Sequence, residues 1–149
     1  MLVRLFATLG PIGHRPFSGT WASLLTLPII YGLSALDVSI VVYSGLIIGL
    51  VVAAWYAIEK SLAYFKHHDP RQIVIDEVVG CMVTFVAVPI SFTSLAMGFV
   101  LFRLFDITKM LGIKKLESIR GPWGILLDDI AAGLLSNVIL QLVLHADLM

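Results

Sequence analysis

The chain has 149 residues, of which 59% are hydrophobic and 13% are charged, and ten basic residues balance ten acidic ones. Its mean hydropathy of +0.99 excludes an ordinary soluble domain, in which about a quarter of the residues are charged. The lack of a basic excess argues against a nucleic-acid partner. We therefore predict an all-α integral membrane protein that forms a single domain over residues 1–149.

The first half of the chain contains two predicted membrane helices. Arg4 interrupts the short apolar run of Met1–Thr20 and no small-residue cleavage site follows, so we expect this segment to remain in the mature protein. The first helix is predicted over Trp21–Leu36 and the second over Val38–Ile58. A polar stretch, Glu59–Arg71, follows them.

The second half contains a predicted hairpin and a last helix. Val78–Phe102 is apolar, but Pro89 and a Ser-Thr cluster at residues 91–94 interrupt it. This predicts two short helices joined by a tight turn, with one kinked span as the alternative. The second polar stretch, Arg103–Gly124, precedes the last predicted helix, Ile125–Leu144.

The positions of the Lys and Arg residues favour the hairpin. All of them lie in Met1–Thr20, Glu59–Arg71 or Arg103–Arg120, and basic stretches collect on the cytoplasmic side of a membrane. Five helices place the three stretches on one side, whereas a single span at Val78–Phe102 divides them. We therefore predict a polytopic helical bundle of about five short transmembrane helices, with the active-site loops facing the cytoplasm.

Two pairs of adjacent acids stand at the predicted starts of apolar segments: Asp76-Glu77 and Asp128-Asp129. Carboxylates beside hydrocarbon need a positive partner, and two like-charged pairs suggest a shared divalent cation. Adjacent helical residues differ by about 100° in direction, so each pair can send one carboxylate inward and the other sideways, toward a metal or toward a donor beside it. Capping of the two helix N-termini is the alternative.

A glycine lies one helical turn after each pair. Gly80 follows Asp76, and Gly133 follows Asp129, at a spacing of four residues. Small residues at such positions let two helices approach closely. We expect this contact to bring the two acid pairs together.

Three charges recur at the end of the fourth predicted helix. Arg103, Asp106 and Lys109 are spaced by three residues, which lets neighbours on the helix interact. The set is either an interfacial ladder of ion pairs or a phosphate clamp, for which the planar guanidinium of Arg103 is suited. Asp106 can orient the two bases or ligate a metal.

Two further groups are candidates for the same site. Asp69 precedes the first acid pair and is a candidate metal ligand; the adjacent His67 and His68 suggest zinc, but an oxygen-rich site without thiols favours Mg²⁺. Thr20 and Ser23 open the first helix. They either cap it or contact phosphate through hydroxyl and backbone N–H groups.

These segments together resemble the phosphatidylglycerophosphatase A family of bacterial membrane lipid phosphatases, over nearly the whole chain. The resemblance is carried, in chain order, by Gly19-Thr20 with Ser23 and Leu24, DPRQIVIDEVVG (residues 69–80), FRLFDITK (102–109) and GILLDDIAAG (124–133). The chain departs from the family pattern at Met110, where a proline is usual, at Ala22, where a glycine is usual, and at residues 120–123, where the approach is usually glycine-rich.

The resemblance implies Mg²⁺-dependent hydrolysis of phosphatidylglycerophosphate to phosphatidylglycerol and inorganic phosphate at the bacterial inner (cytoplasmic) membrane. The phospholipid substrate keeps its acyl chains in the bilayer. We hypothesise that the two acid pairs hold one or two Mg²⁺, that an activated water attacks phosphorus, and that Arg103 and Lys109 hold the phosphate oxygens. An aspartyl-phosphate route is the alternative mechanism.

Other functions remain open on the residues alone. A small ion-coupled transporter would place acids near the middle of the membrane, but Val38–Ile58 and Ile130–Leu144 contain none. A CDP-alcohol phosphotransferase shares the acid and Mg²⁺ chemistry, yet its aspartate-glycine-aspartate pattern is missing. A purely structural membrane protein is the last alternative.

Overall fold

The computed structural model describes residues 2–65, 70–110 and 112–146, and over these ranges the chain is helical with no strand. The all-α prediction is therefore confirmed for the described part. Its helices are α1 (Leu2–Ala7), α2 (Ser18–Ala35), α3 (Ile40–Leu62), α4 (Ile75–Thr84), α5 (Phe92–Thr108), α6 (Ile113–Glu117) and α7 (Pro122–Ala146), with a 3₁₀ turn at Ile12–His14.

The start of α2 differs from the prediction. Phe17 precedes the helix in a left-handed conformation, with φ at 58°. Ser18 is the first helical residue, so Thr20 lies in the first turn and is not the N-cap that its residue type suggested. The early start places residues 18–20 at the end of the bundle where the charged segments collect.

The predicted hairpin is present between α4 and α5. Ser91 and Ser94 close the N-terminus of α5 as a capping box: the Ser91 hydroxyl accepts the Ser94 backbone N–H at 3.0 Å, and the Ser94 hydroxyl accepts the Ser91 N–H at 2.8 Å. The Ser-Thr cluster thus starts a new helix instead of kinking an old one. The end of α5 consequently returns to the start of α4.

Helix α4 lies at the centre of the bundle. Every one of its residues except Glu77 is buried, and α2, α3, α5 and α7 all pack against it. A Cβ atom on Gly80 would lie 2.6 Å from the Asp129 carbonyl oxygen, and one on Gly133 would collide with the Gly80 carbonyl oxygen. The close approach predicted from the two glycines is therefore present between α4 and α7.

The backbone carbonyl groups at the C-terminal end of α4, inside the bundle, accept hydrogen bonds from side chains of α7. Asn137 Nδ2 donates to the carbonyl oxygens of Thr84 at 2.9 Å and Val86 at 2.8 Å, and Gln141 Nε2 donates to Asn137 Oδ1 at 2.9 Å. The last carbonyls of a helix lack partners within the helix, and hydrocarbon offers none. These amides allow α4 to end inside an apolar bundle.

Helix α7 begins earlier than the predicted Ile125. It starts at Pro122, a residue that suits the first position of a helix because its missing N–H has no helical partner there. Asp128 and Asp129 therefore lie in the second turn, with no acid in the first. Capping of the helix N-terminus does not account for this pair.

Two helices of the described part, α3 and α7, are long and apolar enough to cross a membrane. The five transmembrane helices predicted from the sequence are thus not confirmed as five spans. With 10 residues, α4 is about 15 Å long, about half of the hydrocarbon thickness of a bilayer. It cannot cross by itself and ends within the bundle.

Candidate active site

Segments that are distant in sequence meet at one end of the bundle and enclose a cavity of about 790 Å³. Its wall is formed by the 3₁₀ turn and the start of α2, the start of α4, the end of α5 and the second turn of α7. The titratable or charged residues that line it are His14, Arg15, Arg71, Asp76, Glu77, Arg103, Asp106, Lys109, Asp128 and Asp129. Both predicted acid pairs and the predicted charge ladder thus share one cavity.

Three acids of this cavity form a compact group. One carboxylate oxygen each of Asp76, Glu77 and Asp129 lies within 4.8 Å of those of the other two. Asp129 is only 2% exposed, and Glu77 Oε2 and Asp129 Oδ2 are buried without a hydrogen bond to any residue that the structure describes. Buried carboxylates so close together are unfavourable as charged groups unless a cation lies beside them or one of them takes up a proton.

The donor set of this group fits a hard divalent cation. Mg²⁺ prefers carboxylate oxygens and retains waters in its remaining positions, so it is typically held by few protein ligands. The group supplies oxygen ligands alone and faces a cavity with room for water and substrate. The group lies between α4 and α7, one helical turn from the contact at Gly80 and Gly133.

The two aspartates of α7 point to different partners. Asp129 joins the compact acid group, whereas Asp128 contacts the ammonium group of Lys109 and accepts the backbone N–H of Asp129 at 3.1 Å. The two carboxylates of this pair therefore face different partners, which agrees with the direction change of about 100° between adjacent helical residues. On α4 the pair does not divide in this way, because Asp76 and Glu77 both join the acid group.

Lys109 connects three carboxylates. Besides Asp128, its Nζ atom lies 3.0 Å from Asp106 Oδ1 and 3.7 Å from Asp129 Oδ1. Burial by itself lowers the pKa of Lys109, but the charges of Asp129, Asp106 and Asp128 raise it more, and the net pKa is raised above the ordinary value. Lys109 therefore stays protonated at physiological pH and fixes a positive charge beside the acid group.

Arg103 lies on the other side of Asp106. Its Nη1 atom is 2.6 Å from Asp106 Oδ2, so the predicted ladder from Arg103 through Asp106 to Lys109 is present. The Arg103 Nε atom is buried and makes no hydrogen bond within the described residues. The backbone of Gly19 packs against Glu77 and Arg103, and a Cβ atom there would lie 3.2 Å from Arg103 Nη1. Gly19 thus lets α2 approach the charged groups closely.

The structure does not bring every predicted site residue to this cavity. Thr20 lines it, but Ser23 is fully buried away from it, and the Ser23 hydroxyl donates to the Gly19 carbonyl oxygen at 2.8 Å. Asp69, proposed as a metal ligand, lies outside the described residues, as do His67 and His68.

Two arginines of the cavity were not singled out from the sequence. Arg15 follows the 3₁₀ turn, and Arg71 precedes α4. Their loops are joined, because the Ser18 hydroxyl donates to the Arg71 carbonyl oxygen at 2.9 Å. Arg71 could have been found from the sequence, because it lies in the segment DPRQIVIDEVVG that carries the family resemblance. No motif includes Arg15, which reaches the cavity only through the tertiary fold.

Comparison with known proteins gives a consistent result. A family model described as Phosphatidylglycerophosphatase A matches residues 5–144. Phosphatidylglycerophosphatase A of Escherichia coli (strain K12) is 34% identical over 132 residues, which are 85% of this chain and 74% of the relative. The protein of the same name from Haemophilus influenzae (strain Rd) is 33% identical, over 84% of this chain and 77% of the relative.

A third relative carries a different name. A protein of Bacteroides thetaiotaomicron, named provisionally as a phosphatidylinositol-3-phosphatase, is 33% identical over 135 residues, which are 86% of this chain and 84% of the relative. No solved structure matches the chain. The names of these relatives agree on removal of a phosphate from a phospholipid headgroup and differ in the headgroup.

Proposed function

The chain belongs to the phosphatidylglycerophosphatase A family, and from this premise we propose that it hydrolyses the terminal phosphomonoester of phosphatidylglycerophosphate, releasing phosphatidylglycerol and inorganic phosphate. The observation that carries the proposal is the compact acid group of Asp76, Glu77 and Asp129 next to the cations Arg103 and Lys109. Phosphoryl transfer requires this combination of charge neutralisation and alignment.

The proposed cofactor is Mg²⁺, held by Asp76, Glu77 and Asp129. When bound, it would neutralise charge on the phosphate oxygens and increase the acidity of water. Asp106 and Asp128 lie outside the compact group and hold Lys109 in place. We assign them a positioning role. In this proposal, Asp76, Glu77 and Asp129 are metal ligands, whereas Asp106 and Asp128 hold the Lys109 side chain.

The proposed reaction is an attack by water. The water oxygen forms a bond to phosphorus, the bond from phosphorus to the glycerol oxygen breaks, and the glycerol oxygen leaves with one proton of the water. Arg103 and Lys109, which both line the cavity, would hold the phosphate oxygens during this step. A phosphoenzyme trapped by rapid quenching would contradict this route.

The proposed membrane arrangement is multi-pass, with the cavity facing the cytoplasm. Two helices long enough to span, together with the family, indicate a membrane association. Large apolar side chains such as Val41, Ile48 and Val52 are more than half exposed on α3, which suits contact with lipid. The basic segments and the cavity lie at one end of the bundle, and the positive-inside rule assigns that end to the cytoplasm.

The relative from Bacteroides thetaiotaomicron favours a second candidate substrate, phosphatidylinositol 3-phosphate. Both lipids carry a phosphomonoester on a polar headgroup that a phosphodiester joins to the diacylglycerol. The cavity is large enough to contain such a headgroup, and relative rates on the two lipids will decide between them.

The test is phosphate release from each lipid in detergent micelles, with Mg²⁺ and then with EDTA. We expect release from phosphatidylglycerophosphate that requires Mg²⁺ and that falls by at least about 10³-fold in Asp129→Asn. Asp37→Asn is the matched control, because Asp37 is an exposed acid whose φ of 50° asparagine also tolerates.

Two outcomes would contradict the proposal. Folded protein that releases no phosphate from either lipid would exclude the phosphatase function, and full activity in EDTA would exclude the Mg²⁺ requirement. Faster release from phosphatidylinositol 3-phosphate would instead favour the second substrate.

A further inference from the structure

A second cavity lies between α1 and α3, apart from the acid group. It has a volume of about 410 Å³ and is lined by Val3, Arg4, Tyr56, Lys60 and Tyr64. Of these, Arg4 and Lys60 carry positive charge and no acid is among them. The proposed phosphatase reaction uses none of these residues.

The two cations of this cavity are each placed over an aromatic ring. Arg4 Cζ lies 5.8 Å from the ring centroid of Tyr64, and Lys60 Nζ lies 5.7 Å from that of Tyr56. These distances are within the range of cation–π contacts. The contacts hold the long side chains at the cavity while leaving their N–H donors available.

Within the described ranges, no carboxylate forms an ion pair with either cation. The ion pairs of the described residues all involve Arg103 or Lys109 in the candidate active site, and none involves Arg4 or Lys60. Two uncompensated cations at one cavity favour an anionic ligand with several oxygen acceptors, such as a phosphate group.

The location of the cavity distinguishes a lipid headgroup from free phosphate. Tyr56 and Lys60 lie in the last two turns of α3, a helix able to cross a membrane, and tyrosine and lysine at such a helix end mark the headgroup region. The cavity is at the same end of the bundle as the candidate active site. Helix α1 ends at Ala7, whose carbonyl oxygen accepts the backbone N–H of Val74 at 3.0 Å, directly before the start of α4. This is the end proposed to face the cytoplasm, where anionic lipids attract basic residues.

We propose that the cavity between α1 and α3 binds the headgroup phosphate of an anionic phospholipid, as a site separate from the catalytic cavity. Arg4 and Lys60 contact the phosphate oxygens, and Tyr56 and Tyr64 position the two cations. The bound lipid joins the short helix α1 to the membrane-crossing helix α3.

The test uses the full chain in phosphatidylcholine nanodiscs that contain phosphatidylserine, an anionic lipid that is neither substrate nor product of the proposed reaction. Native mass spectrometry counts the phosphatidylserine molecules that stay bound. We expect the double variant Arg4→Gln/Lys60→Gln to retain one fewer than the wild type. Lys114→Gln/Lys115→Gln removes the same charge from exposed positions on α6 and should retain the wild-type number.

Equal retention by the two double variants would overturn the site and leave only a general attraction to an anionic surface. Displacement of the bound lipid by millimolar inorganic phosphate would overturn the choice of a lipid ligand. Helical circular dichroism verifies folding, and the single variant Lys60→Gln provides the same comparison if the double variant does not fold. The readout is independent of phosphatase activity, so failure of the proposed function would not alter it.

Discussion

The aspartates at positions 128 and 129 are neighbours in the chain but have different surroundings. A step of one residue on a helix turns the side chain by about 100°, which directs Asp129 to the acid group and Asp128 to Lys109. The sequence predicted that these acids matter and that each pair could divide. It did not reveal that Asp76 and Glu77 both face the acid group, because their directions depend on how α4 is rotated in the bundle.

Lys109 gives the first prediction at the residue scale. Its ammonium group offsets three carboxylates, so Lys109→Met should leave them uncompensated and lower kcat/KM by about 10²-fold. We also expect Mg²⁺ to raise the Tm more in this variant than in the wild type, since the ion then compensates more charge. Activity assays and thermal unfolding with and without Mg²⁺ measure both effects.

The control for this prediction is Lys114→Met, an exposed lysine on α6. It should change neither activity nor the response to Mg²⁺. A wild-type response to Mg²⁺ in Lys109→Met would show that the charge of Lys109 does not affect binding of Mg²⁺ at the proposed site.

Arg15 and Arg71 give a prediction about substrate recognition. They line the cavity without belonging to the acid group, so we expect them to bind the phosphodiester of the substrate. Arg15→Gln or Arg71→Gln should raise KM for phosphatidylglycerophosphate about 10-fold, the value of one charge-assisted hydrogen bond. Hydrolysis of phosphatidic acid, which lacks this phosphodiester, should be unchanged relative to the wild-type rate.

Arg120→Gln is the matched control, because Arg120 is exposed and does not line the cavity. Equal losses on both lipids would argue that Arg15 and Arg71 contact the reacting phosphate instead.

At the scale of elements, the contact between α4 and α7 brings the two halves of the acid group together. Gly80 and Gly133 allow the two backbones to touch, and the acid group lies one turn away. The predicted hairpin and the predicted glycine contact were both found, since Pro89, the Ser-Thr cluster and the four-residue spacing are local signals. The helix starts at Ser18 and Pro122 were missed, because apolar runs mark the buried part of a helix and not its polar first turns.

Gly133→Ala gives the prediction at this scale. Its Cβ would collide with the Gly80 carbonyl oxygen, so α4 and α7 must separate, and overpacking of this kind typically costs about 1–3 kcal/mol. We expect a lower Tm in detergent and a loss of phosphate release. Gly49→Ala on α3 is the matched control: no atom lies within 4 Å of its Cβ, and alanine should be neutral or stabilise the helix by up to about 1 kcal/mol.

Wild-type stability and activity in Gly133→Ala would indicate that the bundle tolerates a wider separation of the two helices. The acid group would then not depend on the glycine contact.

At the scale of the whole molecule, charge is separated along the bundle. The candidate active site and the basic segments lie at one end, and Asp37 lies in the turn at the other end, between α2 and α3. The sequence predicted this separation, because the basic residues cluster in three stretches. The five membrane crossings predicted from the sequence are not confirmed, since α4 has only 10 residues and ends where Asn137, which is held by Gln141, donates to the Thr84 carbonyl oxygen.

Accessibility labelling tests the arrangement of the whole molecule. In a Cys81→Ser background, which removes the buried cysteine, we introduce either Lys114→Cys or Asp37→Cys. A membrane-impermeant maleimide should label the first only from the cytoplasmic side of membrane vesicles and the second only from the opposite side. Labelling of both positions from the same side would contradict the multi-pass arrangement.

The sequence by itself determined the helical class, the helical hairpin and most of the charged residues of the site, because hydropathy, turn residues and charged motifs are local properties. The tertiary structure decided which acids form the compact group, why Ser23 stays away from the cavity, and how Arg15 and Arg71 reach it. These relations depend on helix rotation and on contacts between segments far apart in the chain. No pattern within a single segment specifies them.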